Sequence, residues 1–248
     1  MTAYSPLAPF YNELTRDVPY EAFADFYEKL WEKYGIRPET VLDLACGTGT
    51  LTAIMAERGY EMIAVDSSPE MLSEAMERFY SLEGAAMPLT LQQSMTELDL
   101  YGTVNAAYCS LDGINYVPGE SLEEVFHRLH LFIEPGGVLV FDINSPYKLR
   151  GQDGQVYVDE TDDVLCLWRT WLSEDGSALE YGVDIFSRQG KLWRRQEEEH
   201  REYIHTVEDL TGKLKKQGFS EIMTFGDLRP APPEEKEGRI FISARRNV

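Results

Sequence analysis

Along the first third of the chain the apolar positions change period in an orderly way. From Pro19, apolar residues recur at Phe23, Phe26-Tyr27, Leu30-Trp31 and Tyr34, the spacing of a helix with one buried face, and Gly35 and Pro38 end it. Tyr4, Tyr11 and Tyr20 fall outside that period, on what reads as a turn-rich segment ahead of the helix. The period then shortens to that of a buried strand at Val41 to Leu44, and a turn with Gly47 and Gly49 leads into the helical stretch Leu51 to Arg58. A second buried strand, Glu61 to Asp66, ends in an acid. Ser67-Ser-Pro-Glu-Met-Leu72 starts a helix with a capping serine and a proline in its first turn.

The alternation continues through strands Leu89 to Gln93 and Val104 to Ser110, a helix closing at Leu129 to Ile133, a sharp turn at Glu134-Pro-Gly-Gly137 and a strand Val138 to Ile143. Strands alternating with amphipathic helices predict a parallel, doubly wound α/β sheet. Residues 151–205 change character. Four β-rich runs, Gln155 to Glu160, Val164 to Leu172, Leu179 to Phe186 and Leu192 to Ile204, are separated by turn residues. In the third, Leu179, Tyr181, Val183 and Ile185 share one face, as in a half-buried antiparallel strand. A capped helix, Thr206 to Gly218, and strands Phe219 to Phe225 and Arg239 to Arg245 close the chain, with a charged, proline-rich loop between the strands. The expected organisation is a core of residues 1–150 and 206–248, with residues 1–35 as an N-terminal cap, interrupted by an antiparallel β insertion at 151–205.

Composition narrows the functions open to such a fold. With 23 Lys and Arg against 43 Asp and Glu, the formal net charge of −20 leaves no cationic surplus to neutralise a nucleic-acid backbone, so no nucleic acid is expected as partner. The basic runs Arg194-Arg195, Lys213 to Lys216 and Arg245-Arg246 are short and read as solvated faces or sheet-edge protection. Cys46, Cys109 and Cys166 lie far apart without C-x-x-C spacing, which indicates neither a zinc site nor a disulfide framework; no metal is expected. There is no charged segment followed by an apolar leader and no run of about eighteen apolar residues, so a cytoplasmic protein without a membrane partner is expected.

The chemistry concentrates at the glycine turn. Gly47 and Gly49 let backbone approach a ligand, and the following helix aims unpaired N–H groups into the same space. A dinucleotide fingerprint requires a third glycine where Thr52 stands, and pyrophosphate would be repelled by Asp43. A cationic amino-acid head would not be.

Asp43-Leu-Ala-Cys-Gly-Thr-Gly49 closely resembles motif I, D-x-G-x-G-x-G, of the class I S-adenosylmethionine (SAM) dependent methyltransferases, with Ala45 where many members have glycine. Val65 to Leu72 is similar to the segment that follows motif I, and Phe132 to Gly137 to the L-x-P-G-G motif before strand five. The resemblance implies a Rossmann-like seven-stranded methyltransferase sheet, mostly parallel with the last strand antiparallel, carrying an inserted antiparallel β subdomain that serves as a lid and as a homodimer surface. It implies SAM as cofactor, bound by Asp43, Ala45, Cys46, Gly47 and Gly49, by Asp66 at the ribose, by Ser67 and Met71 near the adenine, by Ser94, or Gln93 in its place, and Met95 at the end of the third strand, and by Cys109 and Ser110 toward the methionine moiety. Ala8 to Asn12 is similar to a segment that folds over the cofactor, which singles out Tyr11.

Asp112, Tyr11 and His205 are the candidates for accepting a proton from the methyl acceptor. Asp142 and Asn144 are expected to point toward the mouth of the site. The aromatic residues of the insertion, Trp168, Trp171, Tyr181, Phe186, Trp193 and Tyr203, read mainly as sheet packing, with a substrate pocket as the other role. The expected activity is methyl transfer to N or O of a small molecule. A non-catalytic SAM-binding module and a methyltransferase acting on protein or tRNA stand as alternatives. An NAD-dependent oxidoreductase is disfavoured by the missing glycine and by Asp43.

Overall fold

The structure, a computed structural model, describes residues 6–247. Strands β1 (Thr40–Leu44), β2 (Glu61–Asp66), β3 (Leu89–Gln92), β4 (Val104–Cys109) and β5 (Ile133–Asn144) belong to a sheet completed by β10 (Phe219–Phe225) and β11 (Arg239–Arg246). The seven strands lie in the order β10-β11-β5-β4-β1-β2-β3. β1, β2, β3, β4 and β5 pair in parallel, and β11 runs antiparallel between β5 and β10. The apolar run of β1 reflects burial on both faces, since Val41, Leu42 and Leu44 are all inaccessible to solvent.

Helices cover both faces. On one, α2 (Tyr20–Tyr34) and α3 (Thr50–Glu57) pack Phe23, Phe26, Tyr27, Leu30, Trp31 and Met55 against Val41, Tyr108, Val140 and Phe241. The buried positions of α2 are those of the 3.6-residue period read from the sequence. On the other, α5 (Leu122–Phe132) and α7 (Val207–Lys216) contribute Leu122, Val125, Phe126, Leu129, Leu210 and Leu214. Helix α4 (Pro69–Tyr80), capped by Ser68 Oγ accepting from the Met71 N–H at 3.2 Å, lies over β2 and β3. A short helix, α6 (Pro146–Gly151), leaves the end of β5.

The remaining strands, β6 (Val156–Glu160), β7 (Val164–Leu172), β8 (Ala178–Gln189) and β9 (Leu192–Tyr203), form a separate four-stranded antiparallel sheet in sequence order. Its inner face buries Val164, Cys166, Val183 and Ile185. Trp171 and Trp193 stand exposed on the outer face, whereas Trp168 and Tyr181 pack inward.

Two expectations are corrected. The segment ahead of α2 contains a helix, α1 (Ala8–Leu14), so Tyr11 is helical, and Tyr20 is the first residue of α2 rather than part of a turn; Tyr4 lies outside the described residues. The signal was present in the sequence: Leu7, Phe10, Tyr11 and Leu14 follow helical spacing, with Pro9 in the first turn, and all four pack on the inner face of the antiparallel sheet. The sharp turn at Glu134 to Gly137 is instead part of β5, where the register against β4 shifts between Val104 and Ala106. Gly136 has φ +86°, and a Cβ on Gly137 would lie 2.6 Å from the Asn105 carbonyl oxygen, so the two glycines form a bulge that lets the strands approach.

Candidate functional site

The carboxyl ends of β1, β2 and β4 open into a cavity of about 330 Å³, at the point where the strand order reverses. Its first wall is the turn after β1. Ala45, Gly47 and Gly49 all have positive φ, at +60°, +55° and +71°. Gly47 lines the cavity with open space where its Cβ would be, and its N–H donates to Asp66 Oδ2 at 2.9 Å. Asp66 Oδ1 accepts from the Ser68 N–H at 2.9 Å, so the acid at the end of β2 is fixed to the turn after β1. Gly49 faces the other way. A Cβ there would meet the Phe79 ring of α4 at 2.5 Å, so this glycine is demanded by helix packing and does not line the cavity.

Asp43, 2 % exposed, accepts from Thr52 Oγ1 at 2.5 Å and from the Tyr108 hydroxyl at 3.1 Å. Burial pushes its carboxyl up to about 7, further than those two hydrogen bonds pull it down. Burial also raises Asp66, against the N–H groups of Ser68, Gly47 and Ser67. Ser67, Met71 and Met95 continue this wall, and Cys46 lines it as well. Ser94 does not: its hydroxyl accepts from the Thr96 N–H at 3.4 Å and caps the 3-10 turn that presents Met95.

The opposite wall is the turn after β4. Ser110 shares a 2.7 Å hydrogen bond with the Tyr27 hydroxyl, and Leu111, Gly113 and Tyr116 face the cavity beyond it. Leu111 and Asp112 both adopt left-handed backbone, φ +53° and +56°. Cys109 is fully buried beneath this turn; a Cβ on Gly113 would lie 2.7 Å from its Sγ. The cover comes from α1 and the start of α2, through Tyr11 and Tyr20. Helix α1 is fastened by Thr48 Oγ1 donating to Asn12 Oδ1 at 2.6 Å. Burial raises Tyr11 far above the ordinary phenol range, with the charges of Asp112 and Asp66 adding to it, so its hydroxyl stays protonated.

Of the acids and bases expected from sequence, Tyr11 lines the cavity and Asp112 lies just behind its wall. Arg239 Nη2 donates to Asp112 Oδ1 at 3.1 Å, and Nη1 pairs with Asp142. Burial and the neighbouring Glu202 and Asp142 raise Asp112, while Arg239 and Lys148 pull it down. His205 is not brought to the cavity. It is buried at the exit of the antiparallel sheet, where Nε2 lies 3.0 Å from the Val117 carbonyl oxygen, and burial holds it below the usual imidazole range.

Asn144, expected at the mouth, donates from Nδ2 to Glu202 Oε2 at 2.7 Å and accepts from Lys148 Nζ at 2.8 Å. Thr48, Leu51, Ser68, Gly113 and Tyr116 were not singled out from sequence. Thr48 carried a signal, sitting inside the glycine turn. Tyr116 carried none beyond its place after the β4 loop.

The cavity is therefore acidic and half enclosed by aromatic rings. It carries backbone N–H groups and an ordered acid at one end, Asp43 beneath its glycine turn and a small-residue wall at the other. This fits an adenosyl amino acid: Asp66 suits ribose hydroxyls, Met71 and Met95 give apolar contact to a base, and Asp43 would be neutralised by a nearby ammonium or sulfonium. Among the described residues no group of three or more His, Cys, Asp or Glu is arranged to hold a metal.

A family model described as "Methyltransferase domain" matches residues 41–137, which span the turn after β1 through the bulge of β5. The chain is similar to "Putative methyltransferase YqeM" of Bacillus subtilis (strain 168), 28% identical over 247 residues, covering 98% of this chain and 97% of the relative. Among solved structures it is similar to an S-adenosylmethionine-dependent methyltransferase from Clostridium acetobutylicum ATCC 824, with a TM-score of 0.88 and 29% identity over 99% of each chain. The sugar N-methyltransferase KedS8 from Streptoalloteichus sp. shares the fold, with a TM-score of 0.76 and 20% identity over 94% of this chain and 90% of that one.

Proposed function

The chain is a class I S-adenosylmethionine-dependent methyltransferase, and we propose that it acts in the cytoplasm on an amine nitrogen of a small molecule. The observation that carries the choice of acceptor is the balance of charge behind the cavity wall. Asp112, Asp142 and Glu202 gather there, offset by Arg239 and Lys148, and Asp43 and Asp66 stand on the other wall. An ammonium is drawn to such a site, a phosphate is not.

Bound SAM supplies a methyl group on a sulfonium, which leaves as the neutral thioether when the acceptor's lone pair takes the methyl. The chain's own contribution is to align, to exclude water and to receive a proton. Asp66 and the turn after β1 hold the nucleoside, Met71 and Met95 flank the base, and Asp43, Ala45, Cys46 and Ser110 border the amino-acid portion. Tyr11 and Tyr20 shut the cavity from above. Asp112, just behind the cavity wall and paired with Arg239, is the carboxyl group we assign to the proton: in its ionised form it takes the one that the amine must lose. The reading extends to two chains meeting through the outer face of the antiparallel sheet, where Val156, Val158, Trp171 and Trp193 are exposed beside the ion pairs of Asp184 with Arg169 and Arg195.

The test is methyl transfer from SAM labelled on its methyl group, offered with matched panels of small amines and small alcohols. Label is expected in amines only. Transfer confined to hydroxyl compounds would remove the amine reading, and transfer confined to protein or tRNA would remove the small-molecule reading.

A further inference from the structure

We infer that Asp142 is a positioning residue for the cofactor, its carboxylate clamping the Leu111–Asp112 backbone in the left-handed conformation that forms one wall of the cavity. Consecutive left-handed residues that are not glycine are unfavourable and persist only where surrounding structure imposes them. Here the imposing group is visible. Asp142, fully buried at the end of β5, accepts from the Leu111 N–H through Oδ1 and from the Asp112 N–H through Oδ2, both at 2.9 Å. Its two oxygens thus hold two successive N–H groups that this backbone aims at one carboxylate. Arg239 fixes the clamp from behind by pairing with both Asp142 and Asp112, and its guanidinium rests 6.0 Å from the Phe23 ring centre.

The clamped turn bears directly on the cavity. Leu111 and Gly113 line it, and the Gly113 backbone packs so closely that a Cβ would come within 3.3 Å of the Ala45 Cβ on the facing wall. The Asn115 N–H then donates to the Asp112 carbonyl at 2.8 Å and carries the constraint to Tyr116. Asp66, Ser67 and Met71, at the nucleoside end, make none of these contacts, and Met95 meets the turn at Gly113, where a Cβ would lie 3.5 Å from its Cε. Asp142 therefore acts on the end of the cavity that receives the amino-acid portion and the methyl group. This assignment of ends rests on the reading of the site proposed above.

A double-mutant cycle read by calorimetry tests the clamp. SAM and 5′-methylthioadenosine, which lacks the amino-acid chain, are titrated into wild type, Asp142→Asn, Leu111→Gly and the double variant. The asparagine turns a donor toward one of the two N–H groups, whereas glycine accepts φ near +53° without strain. Asp142→Asn is expected to weaken SAM about tenfold or more and 5′-methylthioadenosine less than about threefold, and Leu111→Gly is expected to recover much of the SAM loss in the double variant. Equal losses for both ligands, or strict additivity across the cycle, would overturn the inference. If Asp142→Asn is recovered folded only together with Leu111→Gly, the clamp is supported; if neither form folds, Asp142 is a folding residue and the inference fails. Wild-type protein that binds no SAM would instead strike at the proposed function.

Discussion

At the scale of single residues the cavity works through buried carboxylates whose protonation is displaced. Asp43 moves from an ordinary 3.8 to about 7. Because the folded chain holds this proton more tightly than the unfolded chain, the associated stability is complete below about pH 4 and is lost as pH rises through 7. The ligand-free protein is thus expected to melt at progressively lower temperature from pH 5 to pH 8. SAM affinity should change in the opposite sense, strengthening over the same range as Asp43 ionises and approaching tenfold per unit well below its midpoint. Scanning calorimetry and ligand titration at several pH values check both, and Asp43→Asn should flatten the affinity profile. Gly49 carries a second prediction. Its φ of +71° and the Phe79 ring 2.5 Å from a built Cβ make Gly49→Ala costly, by about 2–4 kcal/mol in unfolding free energy, measurable by denaturant titration. Gly47, with open space at its Cβ but a φ of +55°, should lose only the backbone-strain part of that stability, about 1–2 kcal/mol, and should lose SAM affinity besides.

At the scale of elements, the two sheets are joined where β5, the turn after β4 and β9 meet. The fully buried Asn115 side chain makes that junction. Oδ1 accepts from the Asn144 N–H at 3.0 Å, and Nδ2 donates to the Asn144 carbonyl at 3.3 Å and the Tyr203 carbonyl at 2.9 Å. Asn115→Asp replaces that donor with an oxygen facing two carbonyls in the interior, at a cost of about 2–4 kcal/mol. Hydrogen exchange should show the loss as faster exchange across β9 and the turn after β4, with β1 and β2 unchanged; uniform acceleration would contradict a junction role. Helix α1 is another link, packed through Tyr11, together with the preceding Leu7, on the inner face of the antiparallel sheet while Tyr11 closes the cavity. Opening the cover therefore means separating α1 from that sheet.

At the scale of the molecule, a net charge of −20 makes copies repel everywhere except where acids and bases are balanced. The outer face of the antiparallel sheet is such a place, with Arg169 and Arg195 on Asp184 and Arg201 on Glu180 beside exposed Trp171 and Trp193. Light scattering is expected to report twice the chain mass at moderate salt, and Trp193→Glu to return it to one; a monomer at all concentrations would refute pairing through this face. The sequence alone determined the parallel sheet, the α2 stripe, the four β runs and the glycine turn with its two acids, because each rests on local periodicity or on contacts between neighbours in the chain. It misread the turn before β5, since whether two glycines end a strand or bulge it depends on the partner strand. What only the tertiary structure decided is which face each residue turns to the cavity. Gly49 goes to α4, Ser94 to a cap and His205 to a carbonyl, while Asp142, Arg239 and the Leu111–Asp112 turn come together from segments about 30 to 130 residues apart. Such contacts leave no period in the chain, because through-space charge and hydrogen bonding are fixed only when the strands have taken their order.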